Sequence, residues 1–141
     1  MKRLIATLAA TAMLATGAAA LTAPAAHAAT ISGSGVKYVF CSANQHDNNV
    51  IYYDQYGKVD KFVSLNDKDG NLYCGAVEVG IESGAYVWSA ISNEHSHYVY
   101  AAIYSVSYPL FSGSTGAPPQ YTLVARDESH NSYGGYNSAM A

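Results

Sequence analysis

The tightest cluster of titratable side chains in the sequence is Glu94, His95 and His97. His95 and His97 are two apart, and on an extended strand residues i and i+2 project to the same side. Both imidazoles could therefore reach one metal ion. Zinc takes three or four ligands, so His46, Asp47 or His130 would have to be brought in by folding. The same histidines and carboxylates are the material from which a small secreted hydrolase would build a site. No G-x-S-x-G, H-E-x-x-H or phosphate-cradling glycine loop is present, so no catalytic residue is assigned and no cofactor is expected. The segment 66–71 (NDKDGN) is similar to a calcium loop, but Leu65 stands where the first ligand belongs and no Glu closes the loop. A tight turn is the expectation there, because Asp-Gly favours the positive φ of hairpins.

Aromatic side chains are the second resource. All 13 tyrosines follow residue 28, together with Trp88 and three phenylalanines. Tyr86, Trp88, Tyr98, Tyr100 and Tyr104 would form one patch if their segments were neighbouring antiparallel strands. Such a patch could stack on sugar faces or anchor a protein, since each ring offers a large contact area at small entropy cost. Tyrosine is also a strong strand former, so packing alone would account for the rings.

The segments that must position these residues are short and extended. Runs rich in Val, Ile, Tyr and Phe occur at 36–41, 49–54, 58–65, 72–81, 85–92, 97–108 and 120–127, separated by turn residues. No sustained helical period appears. Seven such runs predict an all-β domain over 36–127, an antiparallel β-sandwich with a small β-barrel as the alternative. Residues 29–35 read as a flexible lead-in and 128–141 as a disordered tail. Alternation puts Val99, Ala101 and Ile103 on one face of their strand, with Tyr98, Tyr100, Tyr104, Val106 and Tyr108 on the other. The aliphatic face is expected in the core. Cys41 and Cys74 lack C-x-x-C spacing and are expected to form a disulfide, worth about 3–4 kcal/mol by loop-closure entropy.

The N-terminus fixes the expected compartment. Lys2 and Arg3 precede an uncharged Ala- and Leu-rich stretch, and Ala26-His27-Ala28 is a small-x-small cleavage site. Residues 1–28 are read as a cleavable signal peptide, so the product is expected to be secreted, without a stable membrane anchor. Without Lys2 and Arg3, five basic residues face ten acidic ones. That balance argues against nucleic acid as a partner, which requires phosphate-neutralising cations.

The segment 50–57 (VIYYDQYG) resembles the V-x-Y-x-x-x-x-G opening hairpin of small exported actinobacterial β-sandwich domains, such as the mycobacterial MmpS-type transport-accessory proteins. The stretch 84–105 is similar to their later strands, with Ser89-Ala90, Asn93 and Val99-x-Ala101-x-Ile103-Tyr104. The resemblance covers about a third of residues 29–141 and implies a sandwich. The chain departs from the pattern: a cleavable leader replaces the retained membrane helix, no cysteine lies near Ala101, and the Pro-Trp motif is missing. The expected function is a secreted noncatalytic domain that binds a protein or cell-envelope glycan through its aromatic surface. A secreted enzyme inhibitor using the Pro-rich loop 112–119 and a small hydrolase are the alternatives.

Overall fold

The computed structural model describes residues 29–108, 117–132 and 135–141. Residues 1–28, expected to be a signal peptide, and most of the loop 112–119 lie outside these residues. Eleven strands form among them: β1 (Ala29–Thr30), β2 (Gly35–Ser42), β3 (Asn48–Asp54), β4 (Gly57–Val63), β5 (Asp67–Asp69), β6 (Leu72–Gly80), β7 (Tyr86–Val87), β8 (Ala90–Asn93), β9 (Tyr98–Ser107), β10 (Gln120–His130) and β11 (Asn137–Met140). They make a five-stranded sheet, β10-β9-β2-β6-β5, a four-stranded sheet, β11-β8-β3-β4, and a small β1-β7 pair. Every pairing is antiparallel. The sheets stack as a sandwich and do not close into a barrel.

Alternation builds the core as expected. Val36, Tyr38 and Phe40 of β2 and Val99, Ala101 and Ile103 of β9 face Val50 and Tyr52 of β3, Ile91 of β8 and Ala139 of β11. The rings of Tyr38 and Tyr52 meet across the two sheets with centroids 5.3 Å apart. Tyr38 is wholly buried, and its hydroxyl donates to the Tyr53 carbonyl at 2.8 Å. That bond satisfies a group whose burial would otherwise cost free energy. Two turns follow their sequence signals. Gly70 adopts φ +60° in the β5–β6 hairpin, so the turn falls at Gly70–Asn71, with Asp67–Asp69 already in strand β5. Gly57 (φ +124°) closes the β3–β4 hairpin, where the Tyr56 N–H donates to Asp54 Oδ1 at 2.7 Å.

Three expectations need correction. The tail is not disordered over its described residues, because β10 runs on to His130 and β11 pairs with β8. Small residues make this possible: Ala139 and Ala141 fit the core edge where larger side chains would not, and Ala141 exchanges two backbone bonds with Ser89. The lead-in is structured too. Ile31 is fully buried, and β1 pairs with β7. Finally, the run 85–92 is two strands in different sheets, broken at Trp88–Ser89.

The two sides of the sandwich differ. On one, Asp127 of β10 accepts a bond from the Met140 N–H at 2.9 Å, and Asn137 Nδ2 donates to the Ser129 carbonyl at 3.0 Å. These bonds tie the sheets together. On the other side, between β4 and β6, the sheets gape over an apolar cleft.

Candidate functional site

The residues that gather are on the outer face of the five-stranded sheet. Tyr98, Tyr100 and Tyr104 project outward from β9, spread over about 20 Å of strand. The register sets Lys37 of β2 beside Tyr104 and Cys41 beside Tyr100. From β10, Leu123 lies opposite Tyr104, Arg126 opposite Ala102, Glu128 opposite Tyr100 and His130 opposite Tyr98. A bulge at Val124 shifts the β10 register between Leu123 and Ala125. Because side chains alternate with period two, that extra residue keeps Tyr121 on the same face as Glu128, seven positions away.

Underneath the rings, Ala102 and Val106 have no exposed surface, although they occupy the outward phase of β9 and lie outside the inter-sheet core. The longer side chains around them therefore cover these two positions. The Cys41–Cys74 disulfide joins β2 to β6 on this same face, with the cysteines directly paired in register.

Several rings are held at their tips by carboxylates. Tyr98 Oη donates to Glu128 Oε2 at 2.9 Å, and its ring packs on His130 with centroids 4.6 Å apart. Tyr121 Oη donates to Glu78 Oε2 at 3.0 Å, and Tyr108 donates to the other oxygen of Glu78. Lys37 Nζ stands over the Tyr121 ring, 4.6 Å from its centroid. These contacts restrict ring orientation before any ligand arrives. Burial, then the bond to Glu128, pushes the Tyr98 hydroxyl up to about 12. Tyr100 is raised by burial first, while Tyr108 and Tyr121 are raised first by their bonds to Glu78. All four therefore remain neutral donors and acceptors well above neutral pH. Lys37, Val39, Tyr104 and Tyr121 line a shallow cleft of about 240 Å³.

The five aromatics named from sequence do not form one patch. Tyr98, Tyr100 and Tyr104 come together, but β8 belongs to the other sheet. Trp88 therefore packs edge-on against Tyr53 there, with centroids 5.7 Å apart, and Tyr86 is exposed on β7. Adjacency in sequence did not become adjacency in a sheet, because residues 94–97 arch from one sheet to the other. Sequence reasoning also missed Lys37, Glu78 and Tyr121. The alternation of the run 120–127 could have offered Tyr121, but the bulge hides its phase.

His95 and His97 lie in that arch. The His95 N–H donates to Asn93 Oδ1 at 2.8 Å. Among the described residues no three His, Cys, Asp or Glu side chains come together in a way that could hold a metal ion. His46 bonds Ser64 Oγ through Nδ1 at 3.0 Å, and His130 is taken up by Tyr98, so neither joins the pair. What organises the arch is a buried amide network. Asn93 Nδ2 donates to the His46 carbonyl at 2.8 Å and to Asn48 Oδ1 at 2.9 Å. Asn48 Nδ2 is directed at the carbonyls of Asn44, Gln45 and His46. Ser42 and Ser96 add a second buried link at 2.9 Å.

Comparison of the chain with protein-family profiles, curated proteins and solved structures gives no match. The outer aromatic face therefore has to be read from its own chemistry.

Proposed function

We propose that this chain is an exported, noncatalytic binding domain that recognises a cell-envelope glycan through the outer face of its five-stranded sheet. The observation that carries the reading is the platform of Tyr98, Tyr100, Tyr104 and Tyr121 interleaved with Lys37, Glu78, Arg126 and Glu128. Flat ring faces suit the C–H faces of sugars, and the charged groups between them suit sugar hydroxyls. A protein-binding core is depleted in Lys and Glu, whereas here a charged side chain neighbours each tyrosine. The tethered hydroxyls add to the case, since a platform already ordered loses less entropy on binding. The amino-terminal segment, read as an export leader, would deliver the domain to the compartment where such glycans occur.

The test uses purified protein and isolated cell-wall polysaccharide. Wild type should be retained and should elute with soluble wall fragments. The double substitution Tyr104→Ala and Tyr121→Ala removes two rings, each contributing on the order of 1 kcal/mol beyond area burial, so retention should weaken about thirtyfold. Unchanged retention in a variant that melts like wild type would refute the reading. Retention by secreted proteins in place of polysaccharide would refute the glycan and move the surface to a protein partner.

A further inference from the structure

The open side of the sandwich holds a concave apolar site separate from the aromatic face. Between β4 and β6 the sheets enclose a cleft of about 180 Å³. Its floor is Phe40 and Tyr52, with ring centroids 6.4 Å apart, and its walls are Val50, Val63, Leu65 and Val77. This volume is below that of pockets for drug-sized ligands and suits a short linear chain. Lys61 stands at the mouth. It pairs across the β3–β4 hairpin with the buried Val50, so it occupies the inward phase of an edge strand, a position that alternation would give to an apolar residue. Its Nζ lies 5.6 Å from the Tyr52 ring centroid, and among the described residues no carboxylate lies within ion-pair distance of it.

We infer that this cleft binds the end of an anionic amphiphile, a short alkyl chain entering between the sheets with its carboxylate held by Lys61. Two features set this occupant. The walls offer dispersion contact and little for a polar ligand to bond, while the entrance presents a cation that rests on the Tyr52 ring and that no carboxylate among the described residues neutralises. A neutral apolar ligand would leave that cation without a counter-charge, and a cationic one would be repelled.

The test is titration of the full chain with monomeric octanoate, followed by calorimetry and by shifts of the Val63 and Val77 methyl resonances. Saturable binding is expected, with hexanoate weaker by about fourfold for each methylene lost. Octylammonium should bind more weakly than octanoate. Lys61→Gln should weaken octanoate about fivefold, near the upper range of an exposed ion pair, and leave octanol unchanged. Val77→Phe fills the cleft with a good strand former and should abolish binding while the protein still folds. Absence of saturable octanoate binding to wild type would overturn the proposal. So would equal affinity for octanoate and octylammonium, or octanoate binding unmoved by both substitutions. If Lys61 served solely to keep the β4 edge from pairing with another copy, Lys61→Gln would change self-association and leave octanoate affinity alone, which also overturns it.

Discussion

Replacing Asn93 with alanine should cost far more than a turn residue usually does. Asn93 is almost fully buried and makes three bonds, donating to the His46 carbonyl and Asn48 Oδ1 and accepting from the His95 N–H. Their consequences differ. The His46 carbonyl keeps a donor in Asn48 Nδ2 at 3.2 Å. The His95 N–H is in an exposed arch where water can replace the lost acceptor. Asn48 Oδ1 has neither recourse: Asn48 is fully buried, and turning its amide over would forfeit the bonds from its Nδ2. Leaving that oxygen unpaired costs about 1–3 kcal/mol, and the other two bonds about 1 kcal/mol together, so about 3 kcal/mol is expected. Urea denaturation should show a lower midpoint with an unchanged slope, and thermal melting should drop by roughly 10–20 °C. Asn93→Asp is the sharper control. It keeps the acceptor for His95 but sets a carboxylate oxygen against two other oxygens, so at neutral pH it should be at least as destabilising as alanine. It should recover partly in acid, where the protonated carboxyl can donate. A cost below about 1 kcal/mol for Asn93→Ala would show that the amide network does not hold the arch.

The disulfide and the tyrosines give further tests. Cys41 and Cys74 are 33 residues apart, so replacing both with alanine should lower stability by about 3–4 kcal/mol on the chain-entropy account; a loss below about 1 kcal/mol in urea melts would reject that account. Stability should also fall in base. Tyr38, Tyr98 and Tyr100 are all held above the ordinary value near 10, burial being the largest cause. The folded state therefore keeps protons that the unfolded state releases, and the resulting stability is complete below pH 10 and lost as pH rises toward about 12. Circular dichroism melts from pH 9 to 12 should show the decline, and a flat profile across about pH 10–12 would contradict the assigned environments.

Alternation in β9 was readable because its aliphatic and aromatic sets are cleanly out of phase, and Val99, Ala101 and Ile103 went to the core. The hairpins were readable because Gly57 and Gly70 supply the positive φ their turns require. β11 was not, since Asn137-Ser138-Ala139-Met140 has one small apolar residue facing inward and no strand-forming run. Its place comes from a complementary edge on β8 and two bonds it donates to β10, information held elsewhere in the chain. For the candidate site the obstacle was topology. Nothing in the residues 94–97 says whether they make a hairpin or an arch, and that choice separates Trp88 from Tyr98. The signal for the arch was the pair of buried amides, Asn48 and Asn93, which look like ordinary turn formers until their burial is known.

The outer face and the core of the five-stranded sheet are linked through β9. Its inward positions are small or β-branched, which lets the two sheets approach closely; its outward positions alternate Tyr98 and Tyr100 with Ala102 and then Tyr104. Alanine at 102 is small enough to be covered completely by its neighbours, and a larger residue there would have to share that space. Ala102 has no exposed surface and lies between Val39 of β2 and Arg126 of β10, so the covering extends across three strands. A sheet needing only to shield its outer surface could have used Thr or Lys at these positions, at less risk of exposed apolar area. Tyr98 and Tyr121, with their hydroxyls bonded to Glu128 and Glu78, give this face apolar rings with polar tips. On the proposed reading, apolar rings with polar tips would meet an extended ligand that presents alternating C–H and hydroxyl faces.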